Sequence, residues 1–292
     1  MQKHPIKENL PHALREAVGW GIAQGFIRSG RRAAALRRYD GPDTILSLCA
    51  HNPTPSVLRT LLAWLTAHGF RFLSEEDILG GRIPSGRKAW LSFDDGWAGF
   101  DTELLPVLEA FNAPVSLFIA PEETRRGFLW TNALMPYCPM SGIRALYALP
   151  EPERIAAVAA VLKGKTPKML MPPEAVAAVA RHPLVRVGNH SATHLSCSGR
   201  PVSEVIDALR RAQETLTDWC GRAPRLFCYP FGHRTPETDA AVRAEGLHPI
   251  GLFPGIDRLS SFGAFRNMVY DDMSLAENTC RVLGSWIPIR RT

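Results

Sequence analysis

The 292-residue chain predicts an α/β fold, a mostly parallel sheet covered by helices. Short apolar runs alternate with helical stretches from Thr44 onward. A hydrophobic content of 46% against 21% charged residues supplies enough apolar surface for a substantial core. One of the apolar runs also ends in Asp-Asp-Gly, which sets polar chemistry at a strand end, where parallel-strand enzymes build their sites.

Residues 1–43 read as an N-terminal helical, basic extension ahead of a main domain at 44–292. Leu10, Leu14, Val18 and Ile22 recur at helical spacing, and Arg28, Arg31, Arg32, Arg37 and Arg38 follow. Two readings stay open: a helix packed on the outside of the main domain, or a basic interfacial helix lying on a membrane surface. Gly41-Pro42 then breaks the pattern.

Within the main domain Ile45 to Ala50 is a short apolar strand. Pro55 to Phe70 reads as a helix with Val57, Leu58, Leu61, Leu62 and Leu65 on one face, closed by Gly69. A strand over Ala89 to Phe93, a helix over Thr102 to Phe111 and a strand over Val115 to Ala120 come next. Between about 128 and 182 the rhythm loosens into an insertion with two alanine-rich helices, near 151–163 and 173–181, expected over the site face. Val185 to Gly188 resumes the strands. A helix beginning at Ser203 carries Val205, Leu209, Ala212, Leu216 and Trp219, a core-packing stripe. Arg225 to Tyr229, Pro249 to Leu252 and Phe265 to Val269 are the remaining strands.

The formal charge of +6 comes from arginines spread along the chain, since only six of the 34 basic residues are lysine. No basic stripe with a nucleic-acid reading module is present, so nucleic acid is not an expected partner. Cys49, Cys138, Cys197, Cys220, Cys228 and Cys280 form no CxxC pair and no framework spacing. Free thiols and a reducing, cytoplasmic location are therefore expected, with membrane association through residues 1–43 as the variant. The opening residues do not read as a secretion signal.

Two segments carry the chemistry. Ala89-Trp90-Leu91-Ser92-Phe93-Asp94-Asp95-Gly96 ends a strand in two carboxylates, with a glycine that lets the backbone turn sharply. Val187-Gly188-Asn189-His190-Ser191-Ala192-Thr193-His194 offers two histidines four apart, a spacing that puts two ring nitrogens on one side of a helical turn. Asp95, His190 and His194 can hold a divalent ion with positions left open, and Asp94 remains as a base. Such an ion polarises a carbonyl and activates water, which is the equipment of a metal-dependent hydrolase. A third segment, Phe227-Cys228-Tyr229-Pro230-Phe231-Gly232, runs a strand into a tight turn.

The ordered series Ser-Phe-Asp-Asp-Gly, His-Ser-Ala-Thr-His and Tyr-Pro-Phe-Gly resembles the motifs of the polysaccharide deacetylase family, the NodB-homology carbohydrate esterases. Cys49-Ala50-His51-Asn52-Pro53 is similar to the first-strand histidine segment of many members. The resemblance covers about residues 45–270. It implies a distorted (β/α)7 barrel of the NodB-homology type and removal of N- or O-acetyl groups from a glycan or glycolipid, by hydrolysis of a carbon–nitrogen bond other than a peptide bond or of an ester. It also implies Asp94 as general base, Asp95, His190 and His194 as ligands of zinc (cobalt or manganese as alternatives), and the backbone N–H of Phe231 as oxyanion donor.

Two departures from the family pattern stand out. No histidine follows His248, so the late leaving-group histidine of many members is missing; His51 is the expected substitute, with His233 second and a purely structural role for His51 equally open. Cys228 and its neighbours stand where many members place a base-holding arginine, and Arg266 is the expected replacement. Trp97, Trp130 and Tyr229 are candidate sugar contacts, with core packing as the alternative. Two other functions remain compatible with the residues: hydrolysis of a non-sugar amide on the same fold, and glycan binding without turnover. The oligomeric state is not legible.

Overall fold

A computed structural model describes residues 12–285; Leu10 and the Trp286-Ile287-Pro288-Ile289 tail lie outside them. The chain divides into two compact units. The first comprises residues up to Ser92, Pro106–Pro114 and the chain from Leu252 onward; the second comprises Phe93–Leu105 and Val115–Gly251.

In the first unit β1 (Thr44–Ala50) is buried at every position, the continuous apolar run expected of a strand covered on both faces. β2 (Phe70–Phe72) pairs in parallel with β3 (Arg87–Asp94), with Phe70 opposite Arg87. The strand pairings of β1 are antiparallel to β8 (Asp257–Arg258) and parallel to β9 (Asn267–Met268). The helix Pro55–Ala67 is capped by the Thr54 hydroxyl, which accepts from the Val57 N–H, and buries Leu58, Leu61, Leu62 and Leu65 as the spacing predicted. Ser47 donates to the buried Asp257 carboxylate at 2.7 Å.

A helix, His12–Arg28, forms within the N-terminal extension. Leu14, Val18 and Ile22 are 47%, 38% and 54% exposed, so the predicted stripe faces outward. The helix packs on Leu275–Val282 with Gly19 and Ala23 buried instead. Small residues at that contact let two helix axes come close, which a leucine stripe would prevent.

In the second unit β4 (Val115–Ile119), β5 (Val185–Asn189), β6 (Leu226–Cys228) and β7 (His248–Ile250) pair in parallel in that order. Gly188 is required in β5: a Cβ there would lie 2.5 Å from the Phe118 ring on the neighbouring strand. The helix Val202–Cys220 starts one residue before Ser203, behind Pro201, and buries Val205, Leu209, Ala212 and Leu216 as predicted. The loosened stretch holds helices Glu151–Leu162 and Pro173–Val179 close to the predicted bounds, preceded by Trp130–Leu134 and Met140–Ala145. The helix predicted over Thr102–Phe111 opens as a π-turn at Phe100–Leu104 before becoming regular at Leu105–Ala110. β2 and β8 were not foreseen, because strands of three and two residues carry no readable period. All six cysteines are free thiols.

Candidate metal centre

β3 delivers Phe93 and Asp94 into the second unit, where the chain leaves the strand at Asp95. The Asp95 N–H donates to the Phe118 carbonyl on β4 at 2.9 Å, and Asp95 takes φ 77°. Gly96 follows at φ 72°, and a Cβ there would stand 2.4 Å from Ile119 Cδ1. Only glycine lets the strand turn this sharply against β4, which is the physical content of Asp-Asp-Gly. Both carboxylates are 2% exposed.

The histidine segment is not a helical turn. His190 follows the end of β5, and the chain reaches His194 through Ser191 at φ 56°, with His194 itself at φ 49°. Asn189 braces this loop: its Oδ1 accepts the Ser191 N–H at 2.9 Å, and its Nδ2 donates to the Leu209 carbonyl and Gln213. The loop thus meets by irregular backbone what the spacing suggested for a helix. Both rings turn toward Asp95, whose Oδ1 lies 3.6 Å from His190 Nε2 and 3.5 Å from His194 Nε2.

The donor set fits a divalent cation. One carboxylate oxygen and two imidazole nitrogens lie within 4.8 Å of one another, all buried. His190 Nδ1 meets the Cys228 carbonyl at 2.7 Å, so Nδ1 carries the proton and Nε2 keeps its lone pair for a ligand. Two adjacent buried carboxylates also repel one another, and a cation between carboxylate and imidazoles relieves that cost. A second set, Asp94, His190 and Cys228, meets the same 4.8 Å limit. Both sets need His190, and its Nε2 faces Asp95. Cys228 Sγ instead lies 3.8 Å from Asp94 Oδ2, as a weak donor to that carboxylate.

The turn at Pro230–Gly232 stands beside this centre. Phe231 adopts φ 61°, and its ring meets His194 edge-on at 4.6 Å and stacks on Tyr147 at 4.2 Å. His233 lies beyond the turn with Nδ1 2.8 Å from Ser196 Oγ, and burial pulls its pKa below the usual histidine value. Trp97 is half-buried and donates from Nε1 to Asp95 Oδ2 at 3.3 Å.

Two of the expected sugar contacts are corrected. Tyr229 is fully buried, packed edge-on to Phe227 at 4.9 Å among Val205, Leu209 and Val242. Trp130 is 2% exposed, and its Nε1 donates to the His194 carbonyl at 3.4 Å. Neither ring has a face left for a sugar; Trp130 instead supports the ligand loop from behind. In the first unit, His51 directly follows β1 and is half-buried, and Arg266 is 1% exposed with Nη1 donating to Ser92 Oγ at 2.9 Å. Sequence reasoning missed three supports of the histidine loop: the Cys228 carbonyl, Trp130, and Arg154, whose Nη2 donates to the Thr193 carbonyl at 3.2 Å and to Thr193 Oγ1 at 2.7 Å. Only the aromatic at Trp130 gave any signal, since a carbonyl contact leaves no mark on residue type.

A parallel α/β unit that gathers a buried Asp-His-His set beside a second carboxylate is the framework of a hydrolase with a candidate metal centre. Residues 81–250 match the family description "Polysaccharide deacetylase", and the chain belongs to that family. IcaB from Ammonifex degensii superposes with a TM-score of 0.60 at 21% identity, covering 82% of this chain and 97% of that one. The BpsB deacetylase domain from Bordetella bronchiseptica gives 0.57 at 20% identity over 79% and 97%. Streptococcus pyogenes deacetylase PplD, in complex with acetate, gives 0.56 at 14% identity over 83% and 99%. These likenesses show the fold: α/β of the NodB-homology type, with the helices His12–Arg28 and Arg31–Arg37 ahead of β1. A search of curated proteins finds no match.

Proposed function

We propose that the protein removes acetyl groups, N- or O-linked, from a glycan or glycolipid by metal-dependent hydrolysis, with zinc as the cation and cobalt or manganese as substitutes. One observation carries the reading: Asp95, His190 and His194 converge within 4.8 Å while a second buried carboxylate, Asp94, stays beside them. When bound, the cation supplies Lewis acidity to the acetyl carbonyl and acidifies water. Asp94 accepts the proton of the attacking water as its oxygen adds to the carbonyl carbon. The backbone N–H of Phe231 donates to the developing oxyanion, a role favoured by its place beside His194. The carbon–nitrogen or carbon–oxygen bond then breaks, acetate leaves, and His51 returns a proton to the departing amine or hydroxyl. Arg266 is the proposed holder of the base's charge; it bonds Ser92, two residues before Asp94 and on the same side of β3. Trp97 remains the aromatic proposed to meet the sugar.

Acetate release from acetylated oligosaccharides is expected to stop on chelation and to return with Zn²⁺ or Co²⁺. Undiminished release from protein shown to be metal-free contradicts the proposal. Glycan binding without release in metal-loaded protein would instead favour a binding role.

A membrane-surface substrate is supported by the N-terminal helix. Leu14, Val18, Trp20 and Ile22 are exposed near an arginine cluster, and among the described residues no helix is long and apolar enough to cross a membrane. The full chain is expected to sediment with vesicles containing anionic phospholipid. A Leu14→Glu, Ile22→Glu variant is expected to stay in the supernatant, and equal partitioning of the two dismisses the contact.

A further inference from the structure

The turn at Pro230–Gly232 occupies the amides on the far side of Phe231. The Gly232 N–H donates to the Tyr229 carbonyl at 2.9 Å, and the His233 N–H to the Pro230 carbonyl at 3.3 Å. The Phe231 N–H makes no hydrogen bond among the described residues. It is presented by a left-handed backbone, φ 61° and ψ 2°. A residue with a Cβ resists that conformation, which persists only where the surroundings fix it.

The support comes from the stretch between residues 128 and 182. The Phe231 ring packs against the cluster that contains Phe128, Trp130, Leu134 and Val158. Tyr147 gives the shortest of its ring contacts, with centroids 4.2 Å apart and planes within 23° of parallel, and Trp130 meets it edge-on at 6.2 Å. Tyr147 lies on a short 3-10 turn, Leu146–Ala148, and this turn is itself tied down. Arg200 Nη2 donates to the Tyr147 carbonyl at 3.0 Å and also to the Leu149 carbonyl, while its Nε donates to the Ser196 carbonyl at 2.9 Å. The Arg200 side chain is 4% exposed. One buried guanidinium thus joins the Tyr147 turn to the chain two residues beyond His194.

We propose that Tyr147 is a positioning residue for deacetylation: its stack on Phe231 holds the left-handed turn that aims the Phe231 N–H at the oxyanion, and Arg200 holds Tyr147. The proposal rests on the deacetylase reading for the use made of that N–H. The hold on the turn stands on geometry alone.

Tyr147→Leu keeps hydrocarbon bulk and removes the stack, whereas Tyr147→Phe keeps the stack and removes the hydroxyl. Tyr147→Leu is expected to lower kcat about tenfold, short of the roughly 10²–10³-fold loss on deleting an oxyanion donor, with KM and bound zinc unchanged. Tyr147→Phe is expected to retain wild-type kcat. The coupling between the Phe231 amide and α protons, measured by NMR on phenylalanine-labelled protein, reports φ without reference to activity. It is expected to keep its wild-type value in Tyr147→Phe and to change in Tyr147→Leu. Should Tyr147→Leu fail to fold, Arg200→Gln decides, with the same loss of kcat at constant KM expected. Wild-type kcat in the deciding variant, a loss carried by KM as a sugar contact would give, a loss of zinc, or a Tyr147→Phe as impaired as Tyr147→Leu overturns the proposal. If the wild-type chain releases no acetate, the deacetylase reading falls, and a Phe231 coupling that does not change in Tyr147→Leu overturns the hold on the turn as well.

Discussion

Asp94→Asn is expected to lower acetate release by about 10²–10⁴-fold, the span contributed by a positioned general base, while metal content stays at the wild-type level. The amide keeps the shape of the carboxylate but cannot take a proton from water. Asp94 is the last residue of β3 and is 2% exposed, so the replacement sits in the same packing. Its Oδ2 lies 3.8 Å from Cys228 Sγ, a weak contact whose loss costs little. Parallel measurement of bound zinc and turnover separates the outcomes. A variant that keeps its turnover removes Asp94 from the chemistry, and one that loses its zinc makes Asp94 a ligand.

Asp95→Asn is expected to do the reverse: zinc affinity falls first, and turnover falls with it. Asparagine tolerates the positive φ that Asp95 adopts, so the backbone turn is kept and the lost charge is what is measured. Loss of an outer hydrogen-bonding partner of a ligand costs roughly 10–100-fold in metal affinity, and loss of the only carboxylate in the set should exceed that. Competition against a zinc chelator of known affinity reads the change. Zinc binding equal to wild type contradicts the assignment of Asp95.

The candidate metal residues were legible because two short motifs at strand ends fix residue type by chemistry. Asp-Asp-Gly also encodes its own geometry, since Gly96 fits where a Cβ would strike Ile119. The same motif logic misled about the histidine loop: four-residue spacing suits a helical turn, but Ser191 and His194 in left-handed conformations bring the rings together by another path. A period cannot reveal such a loop. The N-terminal stripe left two readings open for a related reason, because exposed and buried apolar faces share one periodicity and only the partner helix shows which face is packed. Tyr229 and Trp130 read equally well as sugar platforms or core, and packing resolved both toward core. Arg154 went unnoticed because its partner Thr193, met through both carbonyl and hydroxyl, is remote in sequence.

Crystals soaked in zinc, with anomalous scattering recorded at the zinc edge, test the convergence most directly. A single peak is expected within ligand distance of Asp95 Oδ1, His190 Nε2 and His194 Nε2, with Asp94 outside the coordination sphere. A map empty at that position, or a peak seated instead between Asp94 and Cys228 Sγ, contradicts it.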